Sequence, residues 1–112
     1  MQLLIKGTNI QITPAINDYI EKKIGGLRKY LQRLDGPAVM LRVEVGRTTA
    51  HHRKGEIFRA EANLAVSGRL IRAEEENDDL YTAIDLMHDG LKREIVSFKE
   101  KTIAKRLRPA RK

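Results

Sequence analysis

Apolar residues recur at helical spacing through the C-terminal third of the chain. They are Leu80, Ile84, Met87, Leu91, Ile95 and Phe98. Positions that recur every three or four residues share one face of an α-helix, so this stretch predicts a long amphipathic helix. Asn77 precedes the stretch in the position of an N-cap, and Asp78 and Asp79 are predicted to occupy the first turn, where carboxylates complement the helix dipole.

Another amphipathic helix is predicted nearer the N-terminus. Thr13 and Pro14 form a helix start, because threonine caps the first turn and proline suits the first helical position. The apolar positions that follow on one face are Ile16, Ile20, Ile24, Leu27, Leu31 and Leu34. The pattern predicts a helix to about residue 34, ended by the Asp-Gly-Pro sequence at 35–37. The Gly-Gly pair at 25–26 should cost about 1 kcal/mol per glycine relative to alanine, so it requires a reason.

Four segments have the composition or the alternation of β-strands. They are residues 2–7, 38–47, 57–67 and 69–75. Ser67 and Gly68 form a tight turn between the last two, and residues 48–56 form a basic hairpin loop. The predicted order is β-α-β-β-β-α, an α+β fold with a four-stranded mixed sheet and both helices on one face. We expect one domain over residues 1–105, followed by a disordered basic tail at 106–112.

The connections decide the strand directions. The first two strands need a crossover through a helix and are therefore predicted to be parallel, whereas the remaining strands form an antiparallel meander. The sheet face away from the helices should be wet. It carries Arg42, Glu44, Arg59 and Glu61.

The charge of the chain indicates a polyanionic partner. Its 112 residues carry a formal net charge of +7, and the segment from Lys92 to Lys112 alone has nine Lys/Arg against two Glu. Nucleic acid is the first partner that this charge suggests, and an anionic membrane surface is the second. The absence of cysteine excludes disulfides and thiolate zinc sites. With no signal peptide and no apolar stretch of spanning length, a soluble cytoplasmic protein is expected.

The polar faces of the two helices are candidate phosphate-binding surfaces. On a helical wheel Lys22, Lys29 and Arg33 point away from the core, with the Gly-Gly pair among them. In the last helix Arg93 projects away from the apolar stripe, flanked by Gly90 and Ser97. Extended cationic side chains among very small residues allow a sugar-phosphate backbone to approach. An ordinary solvated face of lysines and arginines explains the same pattern, and periodicity alone leaves both interpretations open.

Other chemistry has weaker support in the sequence. The acid run at 74–79 lacks the alternating ligands and central glycine of a calcium loop, so solubility and helix capping explain it better than a metal. The pair His51-His52 has no third ligand nearby. No nucleophile motif or phosphate-cradling glycine loop indicates an enzyme. The five aromatic residues lie mostly on or beside apolar faces, which argues against base stacking. No cofactor and no metal is expected.

The segment RAEEENDDLYTAIDLMHDGLKREI resembles the signature of the ribosome hibernation promoting factors, the family that includes ribosome-associated inhibitor A and is also labelled as sigma-54 modulation proteins. The sequence MQLLIKGTNIQITPAINDYIEKKIGGLRKYL is similar to the first strand and helix of that family. The resemblance implies a fold similar to a double-stranded-RNA-binding domain. It also implies a non-enzymatic translation inhibitor of stress and stationary phase.

The resemblance implies partners and a site as well. Family members bind the decoding cleft of the 30S subunit, alone or within the 70S ribosome, through 16S ribosomal RNA, and block messenger RNA and the A- and P-site transfer RNAs. The family contacts carry over to Lys22, Lys23, Arg28, Lys29, Arg93, Lys99 and Lys101, and Arg33 joins them from the helical wheel. Gly90 and Ser97 replace basic residues that are common in relatives.

The length of the chain suggests a short form of the family. We also expect a monomer off the ribosome and no membrane partner. Ribosome modulation factor is a further candidate partner, and whether the chain promotes or opposes ribosome dimers stays open. Two alternatives also stay open. One is a generic double-stranded-RNA-binding module, and the other is a protein-interaction regulator of the sigma-factor type.

Overall fold

We describe the protein from a computed structural model, which covers residues 1–31, 39–48, 55–66 and 68–107, the last six of them through their backbone alone. The elements in chain order are β1 (Gln2–Thr8), α1 (Pro14–Gly25), α2 (Arg28–Leu31), β2 (Met40–Thr48), β3 (Ile57–Val66), β4 (Arg69–Asn77) and α3 (Leu80–Leu107). The α+β class and all four strands are confirmed. Three predicted features lie outside the described residues. They are the end of the first helix and the start of the second strand at 32–38, the loop residues 49–54 with both histidines, and Ser67.

The four strands form one sheet in the order β1-β2-β3-β4. β1 pairs with β2 in parallel, with Thr8 opposite Gly46, and the other two pairings are antiparallel. This confirms the predicted topology, because the helical connection returns the chain in the same direction. Gly46 is required at its position, since a Cβ there would lie 2.7 Å from the carbonyl oxygen of Thr8.

The helices cover one face of this sheet and enclose the core. α3 packs on β3 and β4, beside α1 and α2. The buried residues of the helices are Ile16, Ile20, Ile24, Leu27, Leu31, Leu80, Ala83, Ile84, Met87, Leu91 and Ile95. They include the described members of both predicted stripes, except that Phe98 is only half-buried. Fully burying a leucine or isoleucine contributes about 2 kcal/mol, so these stripes hold the helices on the sheet.

The predicted first helix is interrupted, and the expectation of one continuous helix is wrong. α1 ends at Gly25, Gly26 is its C-cap, and α2 begins at Arg28. Across the break the amide of Leu27 donates to the carbonyl of Ile24 at 2.8 Å, and that of Tyr30 to the carbonyl of Leu27 at 3.0 Å. These bonds span three residues instead of four. Two consecutive glycines lower helix propensity enough to permit such a break.

The start of α3 also differs from the prediction. Asp79, and not Asn77, is the N-cap, because its Oδ2 accepts hydrogen bonds from the Thr82 amide at 2.9 Å and the Thr82 hydroxyl at 2.8 Å. These bonds hold the pKa of Asp79 below its ordinary value, the side-chain bond having the larger effect. Asn77 accepts from the Asp79 amide at 2.9 Å and shapes the turn before the helix. The two aspartates therefore precede the first turn.

The far end of α3 reaches into the predicted tail. The helical backbone includes residues 106 and 107, while 108–112 lie outside the described residues. No helix in the described part of the chain carries an apolar stretch long enough to cross a bilayer.

Candidate functional site

The predicted RNA-binding cations occupy three helices on the same side of the sheet. Lys22 is exposed on α1, and Arg28 and Lys29 are exposed on α2. The other predicted RNA-binding cations that the structure describes lie on α1 and α3. Arg93 and Lys101 are exposed there, and Lys23 and Lys99 are half-buried. Arg33 lies outside the described residues. The helix side of the molecule therefore presents several solvated cations to a partner.

Lys23 differs from the other cations because an acid of α3 neutralises it. Its Nζ lies 3.1 Å from Asp85 Oδ1 and 5.8 Å from the centre of the Tyr19 ring. The Tyr19 hydroxyl donates to the same carboxylate oxygen at 2.5 Å. Tyr19 also meets Tyr81 edge to face, with ring centres 4.8 Å apart. This α1–α3 cluster, made of Tyr19, Lys23, Tyr81 and Asp85, joins the two helices.

The α1–α3 cluster shifts two pKa values. The hydrogen bond to Asp85, together with burial, raises the pKa of Tyr19 to about 12. Burial raises the pKa of Asp85, but the hydrogen bonds from Tyr19 and Lys23 lower it by more, so that the net pKa is below the ordinary value. The cluster therefore holds a protonated phenol and an ionised carboxylate over a wide pH range.

A second group of contacts links α2 to α3 around Tyr30. The Nζ of Lys29 lies 5.3 Å from the centre of the Tyr30 ring, and the Nζ of Lys92 lies 5.3 Å from the same point. Lysine ammonium groups within about 6 Å of an aromatic centre are attracted by the ring. We call Lys29, Tyr30 and Lys92 the Tyr30 cation pair. Neither lysine forms an ion pair with any acid in the described part of the chain.

Lys92 is absent from the set of residues that the sequence indicated. The apolar pattern predicts that Arg93 points away from the core, whereas Lys92 lies on the flank of α3. That flank faces α2, where Lys92 meets Tyr30. The two residues are distant in sequence, so helical periodicity does not show that they meet. The only sequence signal was the adjacency of two basic residues after Leu91.

An open groove follows the exposed side of α3 beside Lys92. Its volume is about 480 Å³, and its described lining residues are Asp89, Lys92, Arg93, Val96, Ser97 and Glu100. Two cations and a hydroxyl lie in the central part of this lining, with one acid towards each end. Such a lining can donate several hydrogen bonds to an anion.

The small residues near the cations have different surroundings. Gly25 and Gly26 are both exposed, and a Cβ on Gly25 would meet nothing within 4 Å. Packing therefore does not require glycine at 25. Gly90, in contrast, is half-buried, and a Cβ there would lie 3.6 Å from the Cβ of Ala73 on β4. Gly90 lies against the sheet, so the open space beside the cations is on α1.

The face of the sheet away from the helices, the open sheet face, carries a network of paired charges. Arg59 donates to Glu61 at 2.6 Å and to Glu74 at 2.7 Å, and Arg72 donates to Glu74 at 3.0 Å. The hydrogen bond from Arg59 lowers the pKa of Glu74. The first acid of the run at 74–79 is thus occupied by arginines. Among the described residues, no group of three His, Asp or Glu side chains is placed to hold a metal ion.

One end of the open sheet face exposes apolar side chains that the sequence reading did not identify as a patch. Leu70 is 67% exposed and Leu4 is 52% exposed. The register places Met40, Ala65 and Leu70 in one cross-strand row. This end is one described surface that offers apolar side chains to a protein partner, and α3 offers Tyr81 and Leu86 on another.

Comparison with known proteins gives consistent similarities. A sequence model of the family described as Sigma 54 modulation protein / S30EA ribosomal protein matches residues 3–103. The ribosome hibernation promoting factor of Azotobacter vinelandii is 36% identical over 103 residues, which are 92% of this chain and 87% of the relative. The ribosome hibernation promotion factor of a Picosynechococcus strain is 35% identical over 107 residues, which cover 95% of this chain but 53% of the relative.

A solved structure has the same fold. The N-terminal domain of Thermus thermophilus Protein Y superposes with a TM-score of 0.67 at 35% identity, over 88% of this chain and 99% of that domain. A ribosomal subunit interface protein from Coxiella burnetii gives a TM-score of 0.63 at 22% identity, over 89% of this chain and 99% of that protein, and supports the fold alone.

Proposed function

Because the chain belongs to the Sigma 54 modulation protein / S30EA ribosomal protein family, we propose that it is a ribosome hibernation factor that binds the small ribosomal subunit. It occupies the decoding cleft of the 30S subunit through contacts with 16S ribosomal RNA. There it excludes messenger RNA and the A- and P-site transfer RNAs during stress or stationary phase. The inhibition is steric and electrostatic, and it involves no catalysed reaction.

The observation that carries this proposal is the placement of unpaired cations on the helix side of the domain. Lys22, Lys29 and Arg93 are exposed, and none of them forms an ion pair with a described acid. Charged side chains that form no ion pair are available to replace the counterions of a phosphate backbone, and release of those counterions favours binding. The names of the relatives, which are hibernation factors, support the choice of the ribosome as the source of that RNA.

Electrostatics also distinguish this side from the open sheet face. On the open sheet face the arginines at 59 and 72 are already bound to glutamates. A phosphate that approached there would compete with fixed carboxylates. The helix side therefore offers the better contact for RNA, and the open sheet face would be directed elsewhere.

The direct test is co-sedimentation of the full chain with purified 30S subunits, in the presence and absence of messenger RNA and initiator transfer RNA. We expect saturable binding at about one chain per subunit, lost when those ligands occupy the cleft. Binding that does not saturate, or that is equal on any duplex RNA, would reduce the function to generic RNA binding.

A charge-reversal variant tests the placement of the contact surface. The double variant Lys22→Glu and Lys29→Glu should weaken binding by several kcal/mol at physiological salt without unfolding the domain, because both side chains are solvated. The double variant Lys6→Glu and Arg42→Glu is the control with the same change of charge, since both residues are exposed on the open sheet face. Equal losses of 30S affinity in the test and control proteins would show that the helix side is not the RNA-binding surface.

The exposed apolar end of the open sheet face supports a second candidate, a protein-interaction regulator of the sigma-factor type. Leu70→Ser separates the two functions, because Leu70 is far more exposed than the core residues. Under the ribosomal proposal this variant binds 30S subunits like the unmodified chain. A protein-interaction role would instead appear as loss of a sigma-factor complex in Leu70→Ser, with 30S binding absent from the start.

A further inference from the structure

Two lysines from different helices converge on one tyrosine ring. Lys29 and Lys92 each place their ammonium nitrogen 5.3 Å from the centre of Tyr30. The two nitrogens can therefore be no further apart than twice that distance. Two like charges at that distance or closer repel each other, and the attraction of the shared ring holds them there. An anion placed between them would relieve the repulsion.

The contrast with the α1–α3 cluster shows that the Tyr30 cation pair is unusual in this fold. Both groups join α3 to the preceding helices, and each contains a tyrosine within cation–π distance of a lysine. In the α1–α3 cluster Asp85 neutralises Lys23 at 3.1 Å. In the Tyr30 cation pair two lysines are present and, among the described residues, no acid pairs with either of them. Within the described part of the chain, the charge of these two lysines is therefore uncompensated.

The surroundings of Lys92 suit an extended anion better than a small isolated one. Lys92 lines the groove on α3 together with Arg93 and Ser97. A strand that placed one phosphate between the two lysines could continue along α3 to the arginine and the hydroxyl. The Tyr30 ring is already in contact with ammonium groups, so a nucleobase would have to displace them in order to stack. The chemistry of the site therefore favours the phosphate of a nucleic-acid strand.

We propose that Lys29 and Lys92 form a composite phosphate-binding subsite across Tyr30, which holds one backbone phosphate of the RNA that the domain binds. The subsite deepens the proposed function and rests on it for the identity of the RNA. Lys92 contacts the phosphate directly, and Tyr30 is a positioning residue that keeps the two lysines together. Lys23, which sequence resemblance placed in the contact set, instead serves the attachment of α1 to α3.

A double-mutant cycle on 30S binding tests the composite character of this subsite. The proteins are the unmodified chain, Lys29→Gln, Lys92→Gln and the variant with both changes, each measured at several salt concentrations. Each single change should weaken binding about tenfold, the usual effect of removing a charge-assisted hydrogen bond. The salt slope should fall by about one. The double variant should lose less than the product of the single losses, because the two lysines hold the same phosphate.

Two outcomes of the cycle would overturn the inference. Binding of Lys92→Gln equal to that of the unmodified chain would remove Lys92 from the site. Losses that multiply exactly in the double variant would show two independent contacts and no shared phosphate. Lys6→Gln is the matched control and should leave both affinity and salt slope unchanged, because Lys6 lies on the opposite side of the sheet.

Further variants separate phosphate binding from structural support. Lys23→Gln should lower thermal stability and leave the salt slope unchanged, since Asp85 already neutralises this lysine. A slope reduced as much as in Lys92→Gln would contradict the assignment. Tyr30→Phe should retain binding, because it retains the ring. Loss of binding in a folded Tyr30→Phe protein would contradict the positioning role.

Failure of the subsite can be distinguished from failure of the proposed function. If the unmodified chain does not bind 30S subunits saturably, the ribosomal proposal fails, and a short duplex RNA becomes the probe. Weaker duplex binding by Lys92→Gln than by Lys6→Gln would then uphold the phosphate subsite on its own. Equal duplex binding by these two variants would overturn the subsite as well.

Discussion

The hydroxyl of Tyr19 on α1 donates a hydrogen bond to Asp85 of α3, and Lys23 bonds to the same carboxylate. One acid thus receives a phenol and an ammonium group from successive turns of the neighbouring helix. The contact fixes how α1 lies against α3, and it leaves Asp85 ionised while it removes the free charge of Lys23. It gives one lysine of a basic helix a contact within the fold.

Removal of this hydroxyl should weaken the attachment of α1. Tyr19→Phe deletes one hydrogen bond to a partly exposed carboxylate, and we expect a loss of about 1 kcal/mol in the free energy of unfolding. Urea denaturation followed by circular dichroism measures it. Tyr81→Phe is the matched control, because it preserves the edge-to-face ring contact, and it should change stability little. Similar losses in both variants would contradict the importance of the Tyr19 hydrogen bond.

Alkaline pH should weaken the same attachment. The pKa of Tyr19 rises from 10.0 to about 12 in the folded protein because of its hydrogen bond to Asp85. The folded state therefore retains a proton that the unfolded state loses first. The resulting contribution to stability is complete below pH 10 and disappears as the pH rises from 10 to 12.

Titration of tyrosinate by its ultraviolet absorbance measures this shift directly. The difference between the curves of the unmodified chain and Tyr19→Phe gives the ionisation of Tyr19 alone. We expect its midpoint well above the ordinary tyrosine pKa of 10.0. A midpoint at the ordinary pKa of 10.0 would show that the hydrogen bond does not persist in solution.

The N-cap of α3 should depend on Asp79 and much less on Asn77. Asp79→Ala removes the acceptor of the Thr82 amide and hydroxyl, which leaves a helix-terminal amide without its partner. Asn77→Ala removes only a bond within the preceding turn. Thermal melting should therefore show the larger decrease for Asp79→Ala. The reverse order would restore Asn77 as the cap. Asp79→Asn should retain most of the stability, because asparagine is also a good cap.

Substitution of Gly25 should separate folding from binding. A Cβ at this position meets no atom within 4 Å, and the backbone φ is not positive, so alanine fits without strain. Gly25→Ala should stabilise the fold by about 0.5–1 kcal/mol, mainly through a lower entropy of the unfolded chain. Under the proposed function the same methyl group obstructs the approach of a sugar-phosphate backbone and weakens 30S binding. Increased stability with unchanged affinity would show that Gly25 only ends the helix and that its small size does not matter for RNA binding.

The sequence by itself determined the strands, the helical regions and their arrangement in the fold. The periods of the apolar residues are local properties, and they predicted four strands and the two helical regions. The connection lengths predicted the parallel pair of β1 and β2 and the antiparallel meander. The positive charge and the resemblance around residues 72–95 indicated the family. Local information sufficed because apolar burial dominates folding and depends mainly on which face each residue occupies.

Only the tertiary structure decided which cations are free. Asp85 neutralises Lys23, and Lys92 joins Lys29 at Tyr30, because α3 lies beside α1 and α2 in one particular register. Side-chain hydrogen bonds likewise decided that Asp79 caps α3. Some of these contacts join residues that are distant in sequence. Others depend on which of two nearby side chains, Asn77 or Asp79, reaches the free amides at the start of α3. Their outcome depends on separations of a few ångströms, which charge counts and periodicity do not contain.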